Sequence, residues 1–125
     1  MTLYIDTGVD PYLEIGIERD GKFVKKRIKA ERKQAEKLLP AILSLLAREK
    51  LTWKDVKGIK VNNEGGSFTS LRIGILTANA LAYALEIPIS SFSGKDVFRF
   101  KGGKAVKPRY NGEPNIGKSR KPTWG

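Results

Sequence analysis

The segment from Asn63 to Leu85 constrains the fold of this chain more than any other. It begins with a Gly-Gly turn and continues into a helical pattern that starts near Thr69 or Ser70 and ends before Pro88. Apolar residues lie on nearly every side of this helix. A helix of that kind is buried on several sides. The sequence therefore predicts a helix packed within an α/β core, with Gly74 leaving room for close approach of another element.

Three short strands are predicted before the first helix. Leu3 to Ile5 is apolar, and Tyr12 to Glu18 alternates between apolar residues and polar or small ones, which indicates a strand with one covered face. The Asp20-Gly21 pair is a strong hairpin signal, and Phe23 to Ile28 is the returning strand. We therefore expect antiparallel pairing at the start of the chain.

The remaining elements alternate helix and strand. A helix with an apolar stripe is predicted from about Glu31 to Lys50, interrupted by Pro40. A fourth strand follows at Gly58 to Val61, and a fifth begins after Ile87. The fold class is thus α/β, with one domain over residues 1–93. Residues 94–125 form a basic segment, for which we predict a small hairpin and a flexible, Gly/Pro/Lys-rich tail.

Charge and composition narrow the function. The chain has 24 Lys and Arg against 13 Asp and Glu, a net charge of +11, and it has no cysteine and no histidine. The charge favours an anionic partner such as RNA, although a solvated lysine surface gives the same composition. Without histidine or cysteine, the commonest general base, thiol nucleophile and metal ligands are missing. We expect a cytoplasmic protein with no membrane span, no metal site and no catalytic residues.

The glycine turn is a candidate anion site, because helix N-termini offer free N–H groups and a favourable dipole. Its members are Gly65, Gly66, Ser67, Thr69, Ser70 and Arg72. The alternative is a tight strand-to-helix turn with ordinary capping, and the sequence is not that of a Walker A loop. Asp6-Thr7-Gly8, after the first strand, leaves a similar choice between a nucleotide–metal contact and a self-capping turn.

These segments together resemble the TsaB proteins, also called YeaZ. That family typically reads G-P-G-S-F-T-G-L-R-I-G before an alanine-rich helix, and the stretch from Asn63 to Pro88 is similar to it in order and spacing. Ile5-Asp6-Thr7 resembles the family's first strand and turn, and Glu36 to Pro40 resembles the start of its first helix. The resemblance covers about Thr2 to Ser93.

The resemblance implies a single actin-like (ASKHA/RNase H-like) domain with a five-stranded mixed sheet and two main helices. It implies a non-catalytic scaffold that binds TsaD for threonylcarbamoyladenosine modification of tRNA position 37, with a TsaE-like ATPase in the complex. ATP and Mg²⁺ are expected on the partner complex, with no cofactor assigned to this chain. The two helices would pair with those of TsaD, or of a second copy when the chain is alone, through Leu38, Leu39, Ile42, Leu45, Leu46, Leu71, Ile75, Ala78, Asn79 and Ala82.

The chain also departs from the family pattern. Glu64, Gly65 and Ser70 replace the usual Gly, Pro and Gly, and Glu64 puts a negative charge beside the candidate anion site. The resemblance leaves most of the family's second actin-like domain without a counterpart in this sequence, and the tail vaguely resembles the family's C-terminal stretch, so we hypothesise an internal deletion. The alternative function is a basic tRNA-binding module that needs no TsaD. Its candidate RNA contacts are Lys101, Lys104, Lys107, Arg109, Lys118, Arg120 and Lys121.

Overall fold

The computed structural model describes residues 1–94 and a two-residue strand at 97–98. Six strands form one mixed sheet in the order β3-β2-β1-β4-β5-β6. The strands and helices are, in chain order, β1 (Thr2–Asp6), β2 (Tyr12–Arg19), β3 (Lys22–Lys29), α1 (Gln34–Arg48), β4 (Gly58–Val61), α2 (Phe68–Leu85), β5 (Ile89–Ser91) and β6 (Val97–Phe98).

The predicted five strands and two helices are confirmed. β1, β2 and β3 pair antiparallel, whereas β4 pairs parallel with both β1 and β5. β6 adds an antiparallel strand on the outer side of β5. The β2–β3 hairpin turns at Asp20 and Gly21, whose φ values of 53° and 78° are those of a type I′ turn. The remainder of the predicted hairpin and tail lies outside the described residues.

Both helices pack on one face of the sheet and enclose the core. α1 lies against β2, and α2 lies across β4, β1 and β5. The alternating pattern of β2 sends Leu13, Ile15 and Ile17 into this core, where each is at most 2% exposed. No described helix covers the opposite face of the sheet, which we call the open face.

The first helix is shorter than the sequence predicts. α1 begins at Gln34 instead of Glu31, because Arg32 has a φ of 58° and a left-handed residue cannot continue a right-handed helix. It ends at Arg48, two residues before Lys50, whose φ is 59°. Pro40 lies inside the helix, and the helix continues on both sides of it. α2 begins at Phe68, one residue before the predicted start.

Candidate partner-binding surface

The second helix has far fewer charges than a solvent-facing helix normally has. Arg72 is the single charged residue among its 18 positions, and seven of the 18 are buried. Its solvent side carries Leu76 and Tyr83, which are 39% and 66% exposed, with the small Ala80 between them. Exposed apolar surface of this kind marks sites of interaction.

The same helix satisfies a simple test for membrane spans. Among residues 1–94 and 97–98 it is the one helix long and apolar enough to cross a bilayer, with a mean hydropathy of 1.2. The core helix of a soluble protein satisfies the same test, so length and composition alone are weak support for a span. Here the buried side of α2 packs on β1, β4 and β5 as part of the core.

The first helix adds apolar side chains next to α2. Leu39 and Leu43, which are 42% and 47% exposed, lie one turn apart. The groove between β3 and α1 is lined on the helix by Glu36, Lys37, Pro40, Ala41 and Ser44. Leu39 and Leu43 are not part of this lining, and the phase of the helix turns them toward the other flank of α1, the side on which α2 packs. We call the exposed apolar residues of the two helices the helix-pair surface: Leu39, Leu43, Leu76, Ala80 and Tyr83.

Most residues predicted for the interface are core residues instead. Of the ten, Leu39 is exposed, and the other nine are at most 5% exposed: Leu38, Ile42, Leu45, Leu46, Leu71, Ile75, Ala78, Asn79 and Ala82. The physical reason is the phase of each helix, since these positions face the interior and all of them except Asn79 belong to the hydrophobic core. A partner that docks on the helices would contact their exposed neighbours.

The glycine turn is packed tightly against the end of β1. A Cβ atom on Gly66 would lie 2.7 Å from the Gly8 Cα, and Gly65 has a φ of 88°. Ser67 caps α2, its hydroxyl accepting a hydrogen bond from the Ser70 N–H at 3.1 Å. Close backbone approach therefore accounts for Gly66, the left-handed backbone accounts for Gly65, and capping accounts for Ser67.

The predicted anion-site residues lie in the turn before α2 and in its first two turns. Gly65, Gly66, Ser67, Thr69 and Ser70 surround the start of α2, and Ser70 is buried while Ser67 and Thr69 are exposed. The guanidinium of Arg72 lies over the ring of Phe68, the first residue of α2, 5.4 Å from its centre. Binding of an anion at this turn stays a prediction.

Asp6 and Thr7 form hydrogen bonds that hold the turn after β1. The Asp6 Oδ1 accepts hydrogen bonds from the Gly8 N–H at 2.8 Å and from the Asn62 side-chain amide at 3.0 Å. Thr7 is fully buried; its hydroxyl donates to the Ser70 carbonyl and accepts from the Gly74 N–H at 3.0 Å. Its carbonyl accepts a hydrogen bond from Gln34 at 3.0 Å. These contacts are those of a self-capping turn that joins β1 to both helices.

A charged and aromatic cluster on the open face was not predicted from the sequence. Glu14 forms ion pairs with Lys25 at 3.3 Å and Arg27 at 2.6 Å. Burial acts to raise the pKa of Glu14, but hydrogen bonds and charge from Arg27 and Lys25 outweigh it and hold the pKa below its usual value. The signal in the sequence that could have identified this cluster was the alternation of β3, which puts Phe23 on the same side as these two cations.

All seven predicted RNA-contact residues lie outside the described residues.

A family model and a solved structure agree on the family to which this chain is related. The family model described as "TsaD: tRNA N6-adenosine threonylcarbamoyltransferase" matches residues 27–94. The solved structure of YeaZ from Pseudomonas aeruginosa superposes with a TM-score of 0.67 and 27% identity, over 72% of this chain and 42% of that one. The chain belongs to the TsaD-related TsaB/YeaZ family.

Curated TsaB/YeaZ relatives agree. The chain is 27% identical over 107 residues to the tRNA threonylcarbamoyladenosine biosynthesis protein TsaB of Buchnera aphidicola, covering 86% of this chain and 50% of that protein. It is 38% identical over 64 residues to the TsaB of Bacillus subtilis, covering 51% and 28% respectively. The chain spans half or less of each of these two TsaB proteins.

Proposed function

We propose that this chain acts in tRNA threonylcarbamoyladenosine biosynthesis as a non-catalytic subunit that docks on TsaD through its helix-pair surface. The observation that carries the proposal is α2, an 18-residue helix with one charge and exposed Leu76 and Tyr83. Exposing the apolar side chains of such a helix to water costs free energy, and a partner that covers them would remove that cost. Membership of the TsaB/YeaZ family supports TsaD as that partner.

The dimensions of the helix pair fit a docking role. A helix of 18 residues is about 27 Å long. The exposed Leu39 and Leu43 of α1 widen the apolar surface beside it. A stable interface needs about 800 Å² from each partner. Two adjacent helices that present leucine, alanine and tyrosine can supply much of that area. A second copy of the chain would use the same surface when TsaD is absent.

Composition supports the non-catalytic part of the proposal. The whole chain contains no histidine or cysteine, and the described residues include no cluster of three acidic side chains able to hold a metal ion. Chemistry, together with ATP, Mg²⁺ and any TsaE-like ATPase, would belong to the partner complex in the cytoplasm. The chain would act by binding and positioning TsaD.

Mixing experiments test this proposal directly. The full chain and TsaD from the same organism are combined and separated by size-exclusion chromatography, with and without tRNA. Co-elution at a one-to-one ratio is expected, and any homodimer of the chain should disappear as TsaD is added. Elution of two separate peaks at micromolar concentrations would refute the docking role.

A further inference from the structure

The open face of the sheet carries a group of exposed aromatic rings. Tyr4 of β1 lies between Phe23 of β3 and Phe92 in the turn after β5. The centre of the Tyr4 ring is 5.0 Å from that of Phe23 and 5.9 Å from that of Phe92. Phe23 is 51% exposed and Phe92 is 43% exposed. The rings border a shallow pocket of about 310 Å³ whose lining also includes Glu14 and Lys25. Folding places these large apolar rings on the surface and leaves them accessible.

Gly16 makes room for the ring of Phe23 on the open face of the sheet. Gly16 is paired with Tyr4 on one side and Lys25 on the other. A Cβ atom at position 16 would come within 2.6 Å of the Phe23 ring. The missing side chain therefore leaves the space that the distal end of the ring occupies, and about half of Phe23 stays exposed to solvent.

Much of the positive charge of the described residues lies in the segment that contains β3, the strand of Phe23. Residues 22–37, which comprise β3, the following turn and the start of α1, contain eight Lys or Arg and two Glu. The other residues between 1 and 94 contain seven Lys or Arg and nine Asp or Glu, so the net positive charge of this part of the chain comes from that one segment. β3 is the edge strand, and its cations Lys25, Arg27 and Lys29 are all exposed on the open face.

We propose that the open face binds single-stranded RNA, with bases stacking on Phe23 and Phe92 and phosphates contacting the cations of β3. Exposed aromatic rings on a sheet, flanked by Lys and Arg, are how several RNA-binding domains hold unpaired bases. Duplex nucleic acid keeps its bases stacked inside and cannot use the rings. The choice of RNA over DNA rests on the proposed function in a tRNA pathway.

The charge pattern argues against another copy of this chain at the same place. Pairing of two β3 edges would bring the lysines of both strands together, and lysines on an edge strand oppose such pairing. The open face and the helix-pair surface lie on opposite sides of the sheet, so RNA and TsaD can bind at the same time. RNA binding is therefore separable from docking on TsaD.

Fluorescence anisotropy with a labelled 12-nucleotide single-stranded RNA tests the proposal on the full chain without TsaD. Phe23→Ala and Phe92→Ala should each weaken binding about five-fold or more, with an unchanged salt dependence. Lys25→Gln combined with Arg27→Gln should weaken binding and reduce the slope of log affinity against log salt by about 1.4. Thermal melts confirm that each variant is folded.

Two further variants sharpen the test. Glu14→Gln should tighten binding, because it removes a negative charge and releases Lys25 and Arg27 from their ion pairs. Lys54→Gln removes an exposed cation that lies away from β3. It is the control for neutralising Lys25 and Arg27, and it should weaken RNA binding less than those substitutions do.

Three results would overturn the proposal. The first is affinity that is insensitive to Phe23 and Phe92, the second is equal competition by an RNA duplex, and the third is binding lost only when Lys118, Arg120 and Lys121 are neutralised. None of these results bears on co-elution with TsaD, so the two proposals can fail independently.

Discussion

The hydroxyl of Thr7 accepts a hydrogen bond from the backbone N–H of Gly74 at 3.0 Å and donates one to the carbonyl of Ser70. Ser70 and Gly74 are one helical turn apart, so a side chain from the end of β1 inserts its oxygen beside the hydrogen-bond ladder of α2. A Cβ atom on Gly74 would lie 2.7 Å from that oxygen. The contact fixes how α2 lies on the sheet, and hence where the helix-pair surface faces.

Replacing Thr7 with valine tests the energetic role of this hydroxyl. Thr7→Val keeps the shape of the fully buried side chain and removes its oxygen, leaving backbone polar groups of α2 without that partner. The free energy of unfolding should fall by about 1–3 kcal/mol. Urea unfolding measures the change. Thr7→Ser, which retains the hydroxyl, is the control and should recover most of the loss; equal losses in both variants would contradict this role.

Gly66 should tolerate no side chain. Its Cβ would lie 2.7 Å from the Cα and 3.0 Å from the carbonyl oxygen of Gly8, and backbone atoms cannot move aside as a side chain can. Gly66→Ala should therefore lower the free energy of unfolding by about 1–3 kcal/mol. Gly58→Ala is a suitable comparison, since its nearest neighbour would be 3.8 Å away. If urea unfolding gives the same midpoint for the parent and Gly66→Ala, this packing is described wrongly.

Glu14 should make the free energy of unfolding depend on pH in the acidic range. The folded state holds the pKa of this carboxyl below its usual value. Its ionised form thus contributes stability that is fully present above that usual value and is lost as the pH falls through the lower, folded-state pKa. Glu14→Gln should be less stable than the parent at pH 7, and this difference should shrink in acid. Urea unfolding at a series of pH values measures it; a difference that grows as the pH falls would contradict the assignment.

Local sequence patterns predicted much of the fold. The alternation of Leu13, Ile15 and Ile17 identified the covered face of β2, and Asp20-Gly21 identified the hairpin. The ends of α1 could not be predicted, because Arg32 and Lys50 are residues with no preference for the left-handed backbone that they adopt. Those ends were set by the path of the chain around the core.

The surfaces were harder to predict than the elements. Leu38 is 1% exposed and Leu39 is 42% exposed, yet both are leucines within one apolar stripe, and only the phase of α1 against the sheet separates them. The open face depends on contacts between residues distant in sequence, since Phe92 meets Tyr4 only after β5 is added to the sheet. Periodicity within one segment carries no information about such contacts.

The structure also changes which variants can test docking on TsaD. Leu46 and Ala82, which the sequence places in the interface, are buried, so a charge at either position would unfold the protein as well as block a partner. Leu43 is 47% exposed on the helix-pair surface and can accept a glutamate without disturbing the core. Ser44, the next residue along α1, lines the groove on the β3 side of the helix. Ser44→Glu therefore introduces the same charge away from the helix-pair surface.

The central claim is tested most directly by titrating TsaD with the parent chain, Leu43→Glu and Ser44→Glu in an isothermal calorimeter. We expect the parent and Ser44→Glu to bind with similar affinity. Leu43→Glu should bind at least about ten-fold more weakly, because a charge would be buried in an apolar interface. Equal affinity of all three proteins for TsaD would contradict docking through the helix-pair surface.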